Sequence, residues 1–146
     1  MLYIIGVDHR IQCKSDICSK KDYDDFIKYS KDAIVEFNID IVAEEYNEDC
    51  LEKYNMSESI LQSLAKEMGL THIFLEPSIK QKIKLGINDF MEKNHKLLTF
   101  EIREKYWISK LQNNLNDNIF CVIGSSHKES FTKLLNEKDI NYSFEN

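Results

Sequence analysis

Two histidines stand at matched places in the chain. Gly6-Val-Asp-His9 overlaps the end of the apolar run Leu2–Val7, and Gly124-Ser-Ser-His127 follows the apolar run Ile119–Ile123. Each reads as a buried strand ending in Gly-x-x-His. Glu44 and Glu45 close a third run that starts at Asp40, and Glu76 follows a fourth, Thr71–Leu75. Imidazole changes charge near neutral pH, so histidines beside carboxylates can move protons. Two histidines and a carboxylate are also a ligand set for catalytic zinc with water in an open position, and the same set suits manganese, cobalt or iron. Such an ion would make hydroxide from bound water at neutral pH. The expected ligands are His9, Glu44 and His127, and the expected ion is manganese, cobalt or zinc.

Adjacent strand side chains point to opposite faces. Only one of Glu44 and Glu45 can therefore face such a site, and the other is expected to form a salt bridge or cap a helix. The segment Glu101-Ile-Arg-Glu-Lys-Tyr-Trp107 reads as a helix. Arg103 on it either aims at the pocket, to clamp an anion or stabilise an oxyanion, or lies along apolar surface with its head in water. The expected catalytic set is His9, Glu44, Glu45, Arg103 and His127. With Ser126 as a cap, His127 would open a helix, where the positive dipole end favours neutral imidazole. Lys80, Lys82 and Lys84 read as a solvated helix face. His72, at the far end of its strand, and His95 are expected to be structural or exposed.

The elements that must hold these residues alternate. Strands are expected at 2–7, 40–44, 71–75, 119–123 and 140–144. Helices are expected at 23–37, capped by Asp22, at 57–68, at 78–85 behind Pro77, at 100–114, and from the Ser126-x-x-Glu129 capping box to about 138. Gly69 sits where a left-handed helix end belongs. Segment 10–22 is a polar loop, and 86–99 is a helix or a lid. The order β-α-β-α-β-α-α-β-α-β specifies a single α/β domain over 1–146: three layers, with helices on both faces of a mostly parallel five-stranded sheet. The expected strand order is 3-2-1-4-5. It puts strands 1 and 4 side by side where the order reverses, at the carboxyl edge where open α/β sheets bind ligands.

The chain has 146 residues and a net charge of -6, which disfavours nonspecific nucleic-acid binding. No apolar run approaches the roughly 20 residues that span a membrane. The N-terminal run lacks a basic flank and a cleavage site, so it reads as a core strand in a cytoplasmic protein. Cys13, Cys18, Cys50 and Cys121 form no Cys-x-x-Cys pair, and their spacing supports neither zinc nor a disulfide framework. No Gly-x-Gly-x-x-Gly follows strand 1, no phosphate-loop Gly-Lys-Ser/Thr is present, and no Gly-x-Ser-x-Gly turn occurs. NAD, FAD or ATP as a cofactor is thus not expected. A homodimer is expected on base rates alone.

Gly6-Val-Asp-His9, Val42-Ala-Glu44-Glu45, Arg103 and Gly124-Ser-Ser-His127 together resemble the TraB/PrgY–Tiki and erythromycin esterase-like/ChaN-like superfamily. Its members carry two Gly-x-x-His motifs, glutamates at an intervening strand and an arginine, in this chain order. The resemblance spans residues 6 to 127 and implies an α/β site at the carboxyl edge of the sheet. Tiki-like members are metal-dependent proteases, erythromycin esterase-like members are hydrolases using histidine and glutamate, and ChaN-like members bind haem. The chain is short for this group, and Asp8 and Arg10 flank His9 where relatives have small or apolar residues. Two functions are consistent with these observations. One is a small, metal-assisted hydrolase of a peptide or small-molecule ester. The other is a binding module in which Arg103, the Lys80–Lys84 run and the helix start at His127 hold a small anion.

Overall fold

The structure, a computed structural model, describes residues 1–12 and 17–145. Cys13 and part of the expected 10–22 loop lie outside the described residues. In chain order the elements are β1 Leu2–Val7, α1 His9–Gln12, α2 Lys20–Glu36, β2 Ile41–Glu44, α3 Glu48–Lys53, α4 Ile60–Glu67, β3 Thr71–Phe74, α5 Ile79–Lys84, α6 Asp89–Asn94, α7 Lys96–Leu111, β4 Ile119–Gly124, α8 Lys128–Glu137 and β5 Tyr142–Glu145. A 3₁₀ turn, Ser125–His127, joins β4 to α8. Among the described residues, no helix is long and apolar enough to cross a membrane.

The five strands form one parallel sheet with helices on both faces, as the alternating pattern requires. Residues of β4 divide between two cores. Ile119, Cys121 and Ile123 pack with Trp107, Leu111, Phe131 and Leu135 of α7 and α8. Phe120 and Val122 pack with Phe26, Ile34, Leu61 and Leu64 of α2 and α4. A strand covered on both faces must be apolar at every position, and β4 is buried along its whole length.

The strand order is β3-β2-β4-β1-β5, which corrects the expected 3-2-1-4-5. The neighbouring of β1 and β4 holds, with Gly6 opposite Ile123 and Val7 opposite Gly124. The difference is that β4 lies between β2 and β1. The most uniformly apolar strand takes the centre, while β1, which carries the half-buried Tyr3, lies one place outward. Both connections on the α2/α4 face carry the chain one way across the sheet, and both on the α7/α8 face carry it back. Crossovers of a single hand require this division.

Helix starts differ from the expected ones in instructive ways. Ser19, not Asp22, caps α2, and Asp22 is the reciprocal partner in that capping box. Ser59 caps α4 and Ser78 caps α5. The expected Ser126 cap is not formed: the 3₁₀ turn leads directly into α8, and neither has a side-chain cap. The 86–99 segment folds as α6 and the first turn of α7. Gly69 has the expected left-handed backbone, with φ of 70°.

Candidate functional site

The two Gly-x-x-His motifs interlock. An atom added at the Cβ position of Gly124 would lie 2.3 Å from Nε2 of His9, so only glycine lets that ring lie against the end of β4. The reciprocal contact is looser: a Cβ on Gly6 would meet the Cα of Ser125 at 3.1 Å. Register does the rest, because β1 and β4 run parallel and in step to their last residues. His9 and His127 thereby reach one carboxylate.

That carboxylate is Glu45. His9 Nε2 lies 3.4 Å and His127 Nε2 3.5 Å from the same oxygen, Oε1. Arg103 Nη2 donates to that oxygen as well. The other oxygen, Oε2, accepts the backbone N–H of Gly124 at 2.7 Å. The Glu45 side chain is only 3% exposed, whereas His9 is 47% exposed and forms the solvent-facing side of the cluster. Burial by itself would raise the Glu45 carboxyl. The hydrogen bond with His9 and the charges of His127, His9 and Arg103 outweigh that, and hold it at about 2. Glu45 in turn raises the pKa of His9 above its ordinary value, against the opposing effect of partial burial.

Each partner of Glu45 is braced from behind. His127 Nδ1 lies 2.7 Å from Glu104, which also accepts from Ser130. The His127 ring lies against Phe100, with 3.7 Å between centroids and a 30° tilt, and abuts Trp107. Arg103 bridges Glu45 to Glu76, donating to Glu76 Oε2 from Nε at 3.0 Å and Nη2 at 2.8 Å. Lys82 joins Glu76 to Glu92. The guanidinium is thus shared by two buried carboxylates. Arg103 points inward, lying over Phe100 and Trp107 with Nε and Nη2 turned to Glu45 and Glu76, which corrects the reading that leaves its head in water. Of the expected solvated lysines, Lys80 and Lys84 are exposed, and Lys82 is part of this network.

Glu44 points to the other face, as strand alternation demands of one member of the pair. It accepts from Ser59 Oγ, the cap of α4, and from Gln12 Nε2 at 3.2 Å, and lies 2.8 Å from His72 Nε2. The expected ligand set of His9, Glu44 and His127 is therefore not brought together. Among the described residues, no group of three or more His, Cys, Asp or Glu side chains is arranged to hold a metal ion. The chemistry of the donor set gives the reason. Both oxygens of Glu45 are already engaged by N–H donors, and the place a cation would take beside Oε1 is held by a guanidinium. Among the described residues, this donor set as placed does not fit a divalent ion.

Of the expected site residues, His9, Glu45, Arg103 and His127 converge, and Glu44 does not join them directly. Glu76, noted only as a strand end, braces Arg103. His95 is exposed as expected. His72 is 11% exposed and bound to Glu44, so it belongs to the network's far arm and not to the solvent. Gln12, Glu104, Ser59 and Ser130 were not expected. Glu104 alone left a trace in the sequence: it falls in register with Phe100, Trp107, Ile108 and Leu111, a carboxylate inside an apolar helix stripe. No protein-family model, no curated protein and no solved structure matches the chain.

Proposed function

We propose that the chain is a small hydrolase of ester or amide bonds that works by acid–base chemistry without a metal ion. The observation that carries this reading is the Glu45 oxygen shared by His9, His127 and Arg103 at the carboxyl edge of β1 and β4. A buried carboxylate held ionised beside a half-exposed imidazole raises that imidazole's pKa. An acid–base group is most effective when its pKa lies near the working pH. In this reading His9 takes a proton from attacking water and returns it to the leaving group. Glu45 balances the imidazolium in between. His127 and Arg103 keep Glu45 fixed and ionised. The order of the two Gly-x-x-His motifs, the glutamate and the arginine supports the same class of reaction by its resemblance to histidine–glutamate hydrolases.

The test is a panel of chromogenic esters and peptide anilides, assayed with and without prior chelation. Turnover should survive chelation and fall at least about 100-fold in His9→Asn and Glu45→Gln. Turnover that depends on added manganese, cobalt or zinc would reject the metal-free centre. Activity retained in both variants, or no turnover across the panel, would reject the acid–base assignment.

A further inference from the structure

Gln12 is 1% exposed, and it crosses from one face of the sheet edge to the other. Its Oε1 lies 2.9 Å from His9 Nδ1, and its Nε2 donates to Glu44 Oε2 at 3.2 Å. His9 is therefore placed between two acceptors, Gln12 at Nδ1 and Glu45 at Nε2. The imidazolium satisfies both. A neutral ring has a single N–H and must leave one unmet.

Glu45 alone would draw that proton to Nε2. For this to happen the Gln12 amide would have to turn over and offer its NH₂ group to a bare Nδ1. Its oxygen would then face Glu44 Oε2, one acceptor against another. Glu44 is not free to turn aside, because Ser59 Oγ and His72 Nε2 hold its other oxygen. The amide is locked as an acceptor toward His9 at 2.9 Å, and the acceptor left unmet is the more distant one, the Glu45 oxygen at 3.4 Å, which Arg103 already satisfies.

We propose that Gln12, locked by Glu44, keeps the proton on Nδ1 of His9 and makes Nε2 the atom that gives and takes protons. Gln12 and Glu44 are positioning residues in this scheme: they act through His9 and touch no substrate. The assignment of a working atom rests on the acid–base reading of the site. It gives the second glutamate of the Glu44-Glu45 pair a task, since each carboxylate governs one nitrogen of the same ring.

The experiment is ¹⁵N NMR of the side-chain nitrogens of His9 in its neutral form, in the wild-type chain, Gln12→Met and Glu44→Gln. The wild type should show a protonated Nδ1 and a bare Nε2. Gln12→Met, which keeps the volume and removes the acceptor, should move the proton to Nε2. Glu44→Gln, which lets the amide turn, should give a mixture. The Nδ1–H signal of His127 at Glu104 is the internal check that each variant is folded. A wild-type His9 protonated on Nε2, or a Gln12→Met spectrum that keeps the wild-type form, would overturn the proposal. Where ester or amide turnover is measured, Gln12→Met should lower kcat about tenfold with KM unchanged. Absence of turnover beside the expected wild-type spectrum would reject the hydrolase and leave the lock. Turnover beside the opposite form would reject the lock alone.

Discussion

Burial and pairing act in opposite directions on Glu45, and pairing wins, which makes the fold sensitive to pH in a defined way. Its carboxyl falls from an ordinary 4.5 to about 2. A group depressed by folding stabilises the fold above its ordinary value and loses that contribution as pH drops toward about 2. His9 is raised, so its contribution is complete below 6.5 and is lost as pH climbs through the raised value. Each is a main partner of the other, so these are two views of one interaction and do not add. Urea midpoints measured against pH should therefore decline on the acid side between 4.5 and about 2, and on the basic side above 6.5. Glu45→Gln should flatten both limbs and cost about 3 kcal/mol at neutral pH, because Arg103 keeps only Glu76. A variant curve parallel to the wild type would remove Glu45 from the centre. Gly124→Ala tests the close approach on the other side. Its Cβ collides with His9 Nε2, so activity should fall more than tenfold while the melting temperature changes by only a few degrees. His9, Glu45 and His127 were legible in the sequence because polar residues at the ends of apolar runs must lie at one sheet edge, and Arg103 was legible as a cation on the helix between the third and fourth strands. Gln12 and His72 were not. Their roles depend on which way Glu44 points, and strand alternation says only that the two glutamates diverge.

At the scale of the element, α7 shows how a helix can be read correctly in outline and still hide a site residue. Its buried positions Phe100, Glu104, Trp107, Ile108 and Leu111 form one stripe, and the periodicity that locates the helix does not say why one member is charged. The structure supplies the reason in His127 and Ser130, both of which meet Glu104. Glu104→Leu should cost about 2 kcal/mol, because it strands the His127 Nδ1–H without an acceptor and leaves the Ser130 hydroxyl only the long bond to the His127 carbonyl at 3.4 Å. Combining it with His127→Leu should recover part of that loss, since an apolar pair suits the surroundings of Phe100, Trp107 and Phe131. A denaturation cycle in which the two losses simply add would mean that the pair is not coupled. The helix starts carry a related lesson. Asp22 and Ser19 belong to one capping box, so composition located the start of α2 but not which residue stands outside it. Ser126-x-x-Glu129 has the same pattern, a serine three residues before a carboxylate, and forms no cap, because the chain leaves β4 through a 3₁₀ turn that places His127 against Phe100.

At the scale of the whole molecule, the alternation of strands and helices fixed the layers, while the strand order needed information that local patterns do not hold. Either order keeps β1 beside β4 and so brings the two Gly-x-x-His motifs together. The meeting of the two motifs is insensitive to the error, which is why it could be anticipated from an incorrect order. What differs is Glu45. With β4 between β2 and β1, Glu45 N–H reaches Val122 C=O at 2.8 Å, and its carboxylate can accept from Gly124. Had β1 been the neighbour of β2, the carboxylate would have met β1 first. The central position of β4 can be tested through hydrogen exchange. It is paired on both sides and buried at every residue, whereas β3 and β5 are edge strands with half-buried positions. Amides of Phe120–Ile123 should exchange only by global opening, and those of β3 and β5 should open first. Exchange of β4 as fast as that of β5 would place β4 at an edge. The contact between Glu45 and Gly124 would then be lost, and with it the carboxylate that both histidines share.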